Sequence, residues 1–232
     1  MAKIQKFPDN SPKPITVLSV GHPKREKRTI ERVILPLVHG DFVSRSALAY
    51  WLIDVPQDDN GEYNGQIAYN DALWECESPF VIFSTGDSII PPELLWRAYG
   101  VHLETMRPIT TVRADQISED TLEATANNHA IGDFILTPRQ WAVAAGGWDE
   151  RLTNWGLSDY VFCALLEAAG HPPVLLGNRW EDRVIHLWHP CREDSWYKEQ
   201  NRKNRALVNS MPMWTKADFM EGRERRVEEV LV

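Results

Sequence analysis

Four side chains in this sequence have the types and positions that could do chemistry: Asp87, Asp159, His186 and His189. Asp87 follows an apolar run and precedes a Pro-Pro pair, so its carboxylate stands between a predicted strand and a predicted helix. Carboxylate oxygens bind divalent cations, and imidazole nitrogens suit transition metals such as Mn²⁺ better than Ca²⁺. Asp87, His186 and His189 are therefore candidate metal ligands, while structural roles for both histidines stay open.

Asp159 belongs to the stretch Asn154–Tyr160, which is predicted to open a helix. The dipole of a helix favours an ionised carboxylate in its first turn by about 0.3–1 kcal/mol. We therefore expect Asp159 to be ionised at neutral pH and to act as a general base. The alternative is a carboxylate that only complements the helix dipole.

The elements that position these residues begin with a predicted strand over Ala130–Thr137 and a short helix over Pro138–Ala145. Thr137 is a suitable cap for that helix, and Pro138 suits its first position. Gly146 can adopt the left-handed conformation that ends it.

The first half of the chain alternates predicted strands and helices. Apolar, β-branched runs predict the strands and 3.6-residue periodicity predicts the helices; the strands are 15–20, 47–55 and 79–83, and the helices start near 30, 65 and 89. This order predicts an α/β fold with a mostly parallel central sheet flanked by helices. Ligands bind beyond the carboxyl ends of such strands, so His22, Asp54 and Asp87 are expected to converge on one crevice.

Two other stretches carry alternatives. The run Lys24–Arg28, which includes Arg25, is either a solvated helix start or a set of cations facing a diphosphate. Asp115–Asn128 is polar and irregular, which predicts a mobile loop.

The predicted domain organisation is an N-terminal arm over 1–14, a single catalytic domain over 15–190 and a helical extension over 191–232. Within the central domain, 15–113 and 130–190 are expected to form two halves.

Composition excludes several classes of protein. The chain has 232 residues, a formal net charge of −8 and 3 cysteines, and no apolar run long enough to span a bilayer. Net acidity argues against broad binding to nucleic-acid phosphates. The odd, widely spaced cysteines and the absence of a signal-like N-terminus predict a cytoplasmic protein.

The order of several motifs resembles that of GT-A-fold glycosyltransferases. That family has a Gly-x-x-x-Ala-Arg-Asn helix, a strand ending in Asp-x-Asp, and Gly-Gly-Phe-Asp-Glu, Trp-Gly-x-Glu-Asp and Val-x-His elements. The corresponding segments here are Asn64–Asn70, Phe80–Leu95, Gly146–Glu150, Trp155–Asp159 and Val184–His186. The likeness covers Ile15 to Pro190 and is greatest to family-2-like, galactosyltransferase- and polypeptide N-acetylgalactosaminyltransferase-like members.

The resemblance implies a role for each matching residue. Asp87 matches the metal-binding Asp of Asp-x-Asp. His186 matches the late metal-binding His, and His189 is a second candidate for that role. Asp159 matches the base of inverting members. The implied nucleotide-sugar-binding residues are His22, Arg25, Asp54, Asn70, Thr85 and Gly86, and the implied acceptor-binding residues are Trp148, Asp149 and Trp155. Three positions depart from the pattern, since Thr85, Ser158 and Tyr69 replace an Asp, a Glu and an Arg.

The resemblance thus implies a hexosyl- or pentosyltransferase that uses Mn²⁺ or Mg²⁺ and moves a sugar from a nucleotide-diphosphate donor, with a UDP-sugar favoured. The expected acceptor is a hydroxyl of a glycan, a lipid-linked or a small molecule. One alternative is a transferase acting on modified bases in phage DNA, for which the run Lys24–Arg28 leaves room. Another is a sugar-nucleotide-binding protein without turnover, which Thr85 and Ser158 favour.

Overall fold

A computed structural model of the chain describes residues 3–7, 13–21, 29–39, 48–55, 63–121, 123–154, 156–176, 179–189 and 193–210. The predicted site residues His22, Arg25 and Trp155 lie outside this range, as does the part of the predicted helical extension over 211–232.

The described residues form one nine-stranded sheet flanked by helices. The strands are β1 Lys3–Phe7, β2 Ile15–Gly21, β3 Leu48–Asp54, β4 Phe80–Thr85, β5 Ser88–Ile89, β6 Ile109–Gln116, β7 Ala124–Pro138, β8 Val174–Leu175 and β9 Val184–His186. Their order across the sheet is β1-β3-β2-β4-β7-β6-β9-β5, and β8 also pairs with β6.

The sheet combines a parallel half with an antiparallel half. Strands β3, β2 and β4 are parallel neighbours, as the alternation of strands and helices predicts. Strand β7 is antiparallel to both β4 and β6, because the chain returns through a hairpin rather than a crossover helix. The predicted α/β fold with a central sheet between helices is confirmed, and the sheet is mixed rather than mostly parallel.

Six α-helices cover the two faces of the described sheet. They are α1 Leu35–His39, preceded by a π-helical turn at Ile30–Ile34, α2 Gly65–Glu75, α3 Pro92–Thr105, α4 Arg139–Ala144, α5 Ser158–Ala168 and α6 Asp194–Ser210. Asn64 caps α2, since its side chain accepts hydrogen bonds from the backbone N–H groups of Gln66 and Ile67.

The cap predicted for α4 is wrong. Pro138 occupies the N-cap position and no side chain caps the helix. Thr137 is still part of β7, where it pairs with Val81, so the helix begins one residue later than a Thr137 cap would allow. The predicted exit is confirmed, because Gly146 has a φ of 88°.

Two hydrophobic clusters fill the space above and below the sheet. One contains Ala72 of α2, Val143 of α4 and Phe162 of α5. The other contains Ile34, which directly precedes α1, and Leu94 of α3. Successive residues of a strand point to opposite faces, so a strand covered on both faces needs an unbroken apolar run. This explains why β2 to β4 could be recognised from sequence.

The N-terminal segment was predicted to be a loose arm, and for Lys3–Phe7 that prediction is wrong. These residues form the edge strand β1, antiparallel to β3. The Lys6 ammonium lies 2.6 Å from a Glu75 carboxylate oxygen and 4.1 Å from the centre of the Trp51 ring, which attaches the strand to α2 and β3.

The mobile loop predicted over Asp115–Asn128 is also wrong. Strand β6 continues to Gln116, β7 starts at Ala124, and Asp115 pairs with Thr125 in a hairpin. The tip of the hairpin is exposed, whereas Ala114 and Gln116 of β6 are buried. Among the described helices, none has the length and apolar character needed to cross a membrane.

Candidate active site

A short antiparallel pairing brings the metal-ligand candidates together across 99 positions of sequence. Ser88 of β5 pairs with His186 of β9. The backbone N–H of Leu187 donates to the Asp87 carbonyl at 2.7 Å. The N–H of Trp188 donates to the Gln116 side-chain oxygen at 2.9 Å, which fixes the backbone next to His189.

Asp87, His186 and His189 form a compact group, here called the metal triad, with one ligand atom from each within 4.8 Å of the others. The two Asp87 carboxylate oxygens lie 3.6 Å from His186 Nε2 and 3.3 Å from His189 Nε2. The three side chains are only partly buried, so a ligand can reach them. The structure therefore brings together all three residues that were predicted from the sequence as metal-ligand candidates.

Asp115 contacts the far side of the His186 ring, with Oδ1 3.4 Å from Nδ1. Burial alone would raise the pKa of Asp115, but hydrogen bonds from His186 and Asn127 and the charge of Arg113 lower it to about 2. Burial would likewise lower the pKa of His186, but Asp115 and Asp87 raise it. An ionised Asp115 holds His186 so that Nε2 faces Asp87.

The triad fits a divalent transition metal. One carboxylate and two imidazoles leave further coordination positions for a ligand, and this donor set suits Mn²⁺ better than Mg²⁺, which prefers oxygen ligands. An outer carboxylate that orients a ligating histidine, as Asp115 does for His186, is typical of metal sites.

A cavity of about 650 Å³ connects to the metal triad through Arg113, which contacts Asp115, although the triad residues are not in its described lining. Two of its lining residues connect it to the triad: Thr85 is two positions before Asp87, and Arg113 is two positions before Asp115. The described residues that line it are Val20, Tyr63, Gly65, Gln66, Tyr69, Thr85, Arg113, Asn127, Asp133, Trp148, Asn154, Gly156, Leu157, Ser158, Asp159, Tyr160, Asn201 and Arg205.

Arg113 links the triad to the interior of the cavity. Its Nε lies 2.8 Å from Asp115 Oδ1, and its Nη1 lies 3.2 Å from Asp133 Oδ2. Burial raises the pKa of Asp133, which the Arg113 charge opposes. The contacts thus run from His186 through Asp115 and Arg113 to Asp133, on the wall that Asp159 shares.

Asp159 lies in the first turn of α5 and lines the cavity, as predicted. The expectation that it is fully ionised at neutral pH is wrong, because burial raises its pKa to about 7. Hydrogen bonds from the backbone N–H groups of Asp159 and Tyr160 oppose the shift, and the charge of Asp133 adds to it. The helix dipole is therefore outweighed by desolvation.

The loop before Asp159 is held in an unusual conformation. Asn154, Gly156 and Leu157 all have positive φ, at 57°, 98° and 68°. For a residue such as Leu this conformation costs about 1–3 kcal/mol, so other contacts must impose it. Tyr63 exchanges two hydrogen bonds with Asn154, through its N–H at 3.2 Å and its carbonyl at 3.0 Å.

Helix α6 holds the same loop from the other side. The buried Asn204 amide donates to the carbonyls of Thr153 and Gly156, at 3.1 and 2.9 Å. We expect Asn204→Ala to lower the free energy of unfolding by about 1–3 kcal/mol, because it leaves buried carbonyls without donors. Urea unfolding measures this, and the exposed Asn209→Ala on the same helix is the control. Equal effects of the two substitutions would contradict the role of Asn204.

Gly86 closes the end of β4 against β2, and its N–H donates to the Val20 carbonyl at 2.8 Å. A Cβ at this position would lie 2.9 Å from Gly21 Cα and 3.1 Å from the Val20 oxygen. These are backbone atoms, so the strand ends would have to move apart. Gly86 is thus a packing residue between two strand ends, beside the site rather than a confirmed ligand contact.

We expect Gly86→Ala to lower the free energy of unfolding by about 1–3 kcal/mol through overpacking. Gly100→Ala is the matched control, since a Cβ there meets nothing within 4 Å in the middle of α3. It should stabilise by about 0.5–1 kcal/mol, because alanine is the better helix former. A Gly86→Ala variant as stable as the wild type would contradict the close approach.

Two predicted ligand-binding residues make structural contacts. Asn70 is fully buried and joins α2 to the turn after α4, since its amide donates to Trp148 O and accepts from Trp148 N–H at 2.9 and 2.8 Å. Asp149 is buried and pairs with Arg151 through both carboxylate oxygens at 3.0 Å. Neither is among the described residues that line the cavity.

Trp148 borders the cavity but cannot stack on an acceptor. Its indole is sandwiched between Tyr69, at 4.8 Å between ring centres, and Phe162, at 4.5 Å. Both faces of the ring are occupied by other aromatic side chains, so an acceptor-binding role for Trp148 would have to use another part of the side chain. Asp54 lies at the end of β3, opposite Gly21 and outside the described lining.

The sequence analysis did not identify Arg113, Asp115 and Asp133, nor the α6 residues Asn201 and Arg205. The strand alternation around Arg113 was a usable signal, since a charged residue in an apolar strand needs a partner. The α6 residues gave no local signal, because their position depends on where the helix packs.

No family model matches the chain, and no curated protein does. A catalytic domain of Drosophila β1,4-galactosyltransferase 7 with xylobiose aligns with a TM-score of 0.55 and 14% identity, over 88% of this chain and 78% of that chain. A mutant of that enzyme with manganese, UDP-Gal and xylobiose aligns with a TM-score of 0.55 and 14% identity, over 87% of this chain and 82% of that chain. A Pyrobaculum calidifontis mannosyltransferase with GDP-Man and Mn²⁺ aligns with a TM-score of 0.54 and 12% identity, over 94% of this chain and 71% of that chain. At such identities the likeness establishes a shared fold.

Proposed function

We propose that this chain, which has the GT-A fold, is a glycosyltransferase that moves a sugar from a nucleoside diphosphate donor to an acceptor hydroxyl with inversion. The observation that carries the proposal is the metal triad, assembled beside a cavity that contains Asp159. The fold supports the reaction class, and these residues supply a means of carrying it out.

Asp87, His186 and His189 would hold the cation against the donor diphosphate. A divalent cation at this position would neutralise the charge that develops on the leaving diphosphate. Asp115 keeps His186 in the orientation needed for ligation. Thr85, in place of a second carboxylate, donates or accepts a hydrogen bond with Ser88 at 2.7 Å and keeps the cavity wall polar without adding charge.

Asp159 would accept the proton of the acceptor hydroxyl as that oxygen bonds to the anomeric carbon. A pKa of about 7 places the carboxylate near the working pH, where general bases are most effective. The restrained loop Asn154–Leu157 fixes the carboxylate in the cavity wall, and a fixed base contributes through orientation as well as basicity. The in-line geometry of a direct displacement gives inversion.

Among donors, we propose a uridine or guanosine diphosphate sugar, because the structural neighbours bind UDP-Gal and GDP-Man. The test is to incubate the protein with UDP- and GDP-linked hexoses and Mn²⁺, without acceptor, and to follow release of the nucleoside diphosphate. Slow hydrolysis that needs Mn²⁺ is expected.

Binding without hydrolysis or transfer would favour a sugar-nucleotide-binding protein over an enzyme. Absence of binding by any sugar nucleotide would contradict the proposed function. Asp194→Asn, an exposed carboxylate in the first turn of α6, is the control for nonspecific damage, and it should hydrolyse donors like the wild type.

A further inference from the structure

Helix α6 contributes two residues, Asn201 and Arg205, to the cavity that contains Asp159. The helix is locally basic in an acidic chain. Asp194–Ser210 holds four Lys or Arg residues and two Asp or Glu residues, whereas the formal net charge of the whole chain is −8. Its position therefore places positive charge beside a cavity whose other described cation, Arg113, is neutralised by two carboxylates.

The basic residues of α6 are not equivalent. Lys198, Asn201 and Arg205 are spaced i, i+3 and i+7, so they lie along one edge of the helix, here called the α6 strip, over about 10 Å. Arg202, four positions after Lys198, is not among the described residues that line the cavity, is 69% exposed and pairs with Glu199 at 2.8 Å. Within the part of the chain that the structure describes, Lys198 and Arg205 have no ion pair.

Asn201 has a buried acceptor that needs a donor. Its side-chain Oδ1 is inaccessible to water-sized contact in the folded chain and has no hydrogen-bond partner among the described residues. It lies against Gly156, where a Cβ would be 3.5 Å from it, three positions before Asp159. The same cavity contains a second such oxygen, Gln66 Oε1, on a side chain that is 6% exposed.

Two amide side chains, Asn201 and Gln66, line the cavity, and amide groups hydrogen-bond well to a ligand rich in O–H groups. A guanidinium at the edge of the same cavity that has no ion pair among the described residues points to an anion, which arginine binds through paired N–H donors. The position of Asn201 against the Asp159 loop places both features on the acceptor side.

We propose that the α6 strip recognises the acceptor, and that the acceptor is a small polyhydroxylated molecule or glycan bearing a phosphate or carboxylate group. Arg205 binds the anionic group, and the Asn201 side chain, which lines the same cavity, lies beside the hydroxyl groups. This inference rests on the proposed function and adds the chemical class of the acceptor.

The experiment is titration calorimetry of the full chain with Mn²⁺ and saturating UDP or GDP, which fills the metal triad. The probes are glucose 6-phosphate, glucuronate and neutral glucose. We expect one of the anionic sugars to bind at least about tenfold more tightly than glucose, and the comparison of the two distinguishes phosphate from carboxylate. Arg205→Gln should remove that preference, and Asn201→Ala should weaken all binding probes alike.

Arg202→Gln is the matched control, because it removes the same charge from the same helix outside the cavity. An equal loss in Arg202→Gln would show a diffuse charge effect and overturn the proposal. So would weaker UDP or GDP binding in Arg205→Gln, which would make Arg205 a donor contact. Tighter binding of a short single-stranded DNA than of either anionic sugar would overturn the small-acceptor assignment.

The two proposals fail differently. Binding of UDP or GDP without any preference for anionic sugars overturns the acceptor class and leaves the proposed function intact. If neither nucleotide binds, the proposed function fails. The sugar titrations without nucleotide then decide the α6 strip alone: a preference removed by Arg205→Gln supports anion binding, and no preference overturns it.

Discussion

Asp159→Asn is expected to reduce sugar transfer by about 10²–10⁴-fold while binding of the nucleoside diphosphate with Mn²⁺ stays unchanged. Asparagine keeps the size of the side chain and loses the site that accepts the acceptor proton. Asp159 lies in the cavity wall and outside the metal triad, so donor binding should not depend on it. The measurements are initial transfer rates and calorimetric titration of the nucleotide on the same preparations.

The control for this substitution is Asp194→Asn, which changes a carboxylate to an amide in the first turn of a different helix. It should leave both transfer and nucleotide binding at wild-type levels. An Asp159→Asn variant that loses nucleotide binding as much as transfer would contradict the assignment of Asp159 as the base.

The pH dependence of the wild type provides an independent readout of the same residue. Because burial raises the pKa of Asp159 to about 7, kcat/KM should increase with pH through a midpoint near 7. Residual activity in Asp159→Asn should lack this midpoint. A wild-type profile that is flat between pH 5 and 8 would be inconsistent with a base of this pKa.

The raised pKa of Asp159 also predicts that the stability of the fold decreases with rising pH, whereas activity increases. The unfolded chain has Asp159 at its ordinary pKa of 3.8, so deprotonation favours unfolding as pH rises from about 4 to about 7. Asp159→Asn should therefore be more stable than the wild type at pH 8, and the difference should disappear near pH 4. Urea unfolding at the two pH values measures it. A carboxylate that destabilises the fold is the expected compromise between function and stability if it serves as the proposed base.

The sequence located the catalytic candidates because each follows a recognisable local element. Asp87 comes after a strand buried on both faces, and Asp159 opens a helix whose start has a left-handed residue. Both positions can be inferred from periodicity and end signals alone. The order of the motifs then indicated which elements share an edge of the sheet.

Properties that depend on neighbours distant in sequence could not be inferred in this way. The pKa of Asp159 is set by desolvation in a cavity whose wall includes Asp133 and α6, so the helix dipole gave the wrong direction. The indole ring of Trp148 is of a type that can stack on a sugar, but Tyr69 and Phe162 cover both of its faces. Side-chain type indicates what a residue can do, and packing determines which of those roles is open to it.

Loss of a triad ligand should have the largest effect on metal binding. Replacing the outer partner of a metal ligand weakens metal affinity by about 10–100-fold, and removing a ligand itself should weaken it by at least that much. We therefore expect a graded series in Mn²⁺ titrations: Asp87→Ala and His186→Ala lose about a hundredfold or more, and Asp115→Asn loses less. Affinity for UDP or GDP in the presence of Mn²⁺ should fall in the same order.

Two controls separate metal binding from general damage. Asp120→Ala removes an exposed carboxylate at the tip of the β6–β7 hairpin, and His171→Ala removes an imidazole that stacks on Trp141 at 4.0 Å between ring centres. Both should bind Mn²⁺ like the wild type, since neither belongs to the triad. If Asp87→Ala bound Mn²⁺ and nucleotide as tightly as these controls, the triad would be a hydrogen-bonded group without a metal. The leaving diphosphate would then need another source of positive charge, and the described cations that line the cavity are Arg113 and Arg205.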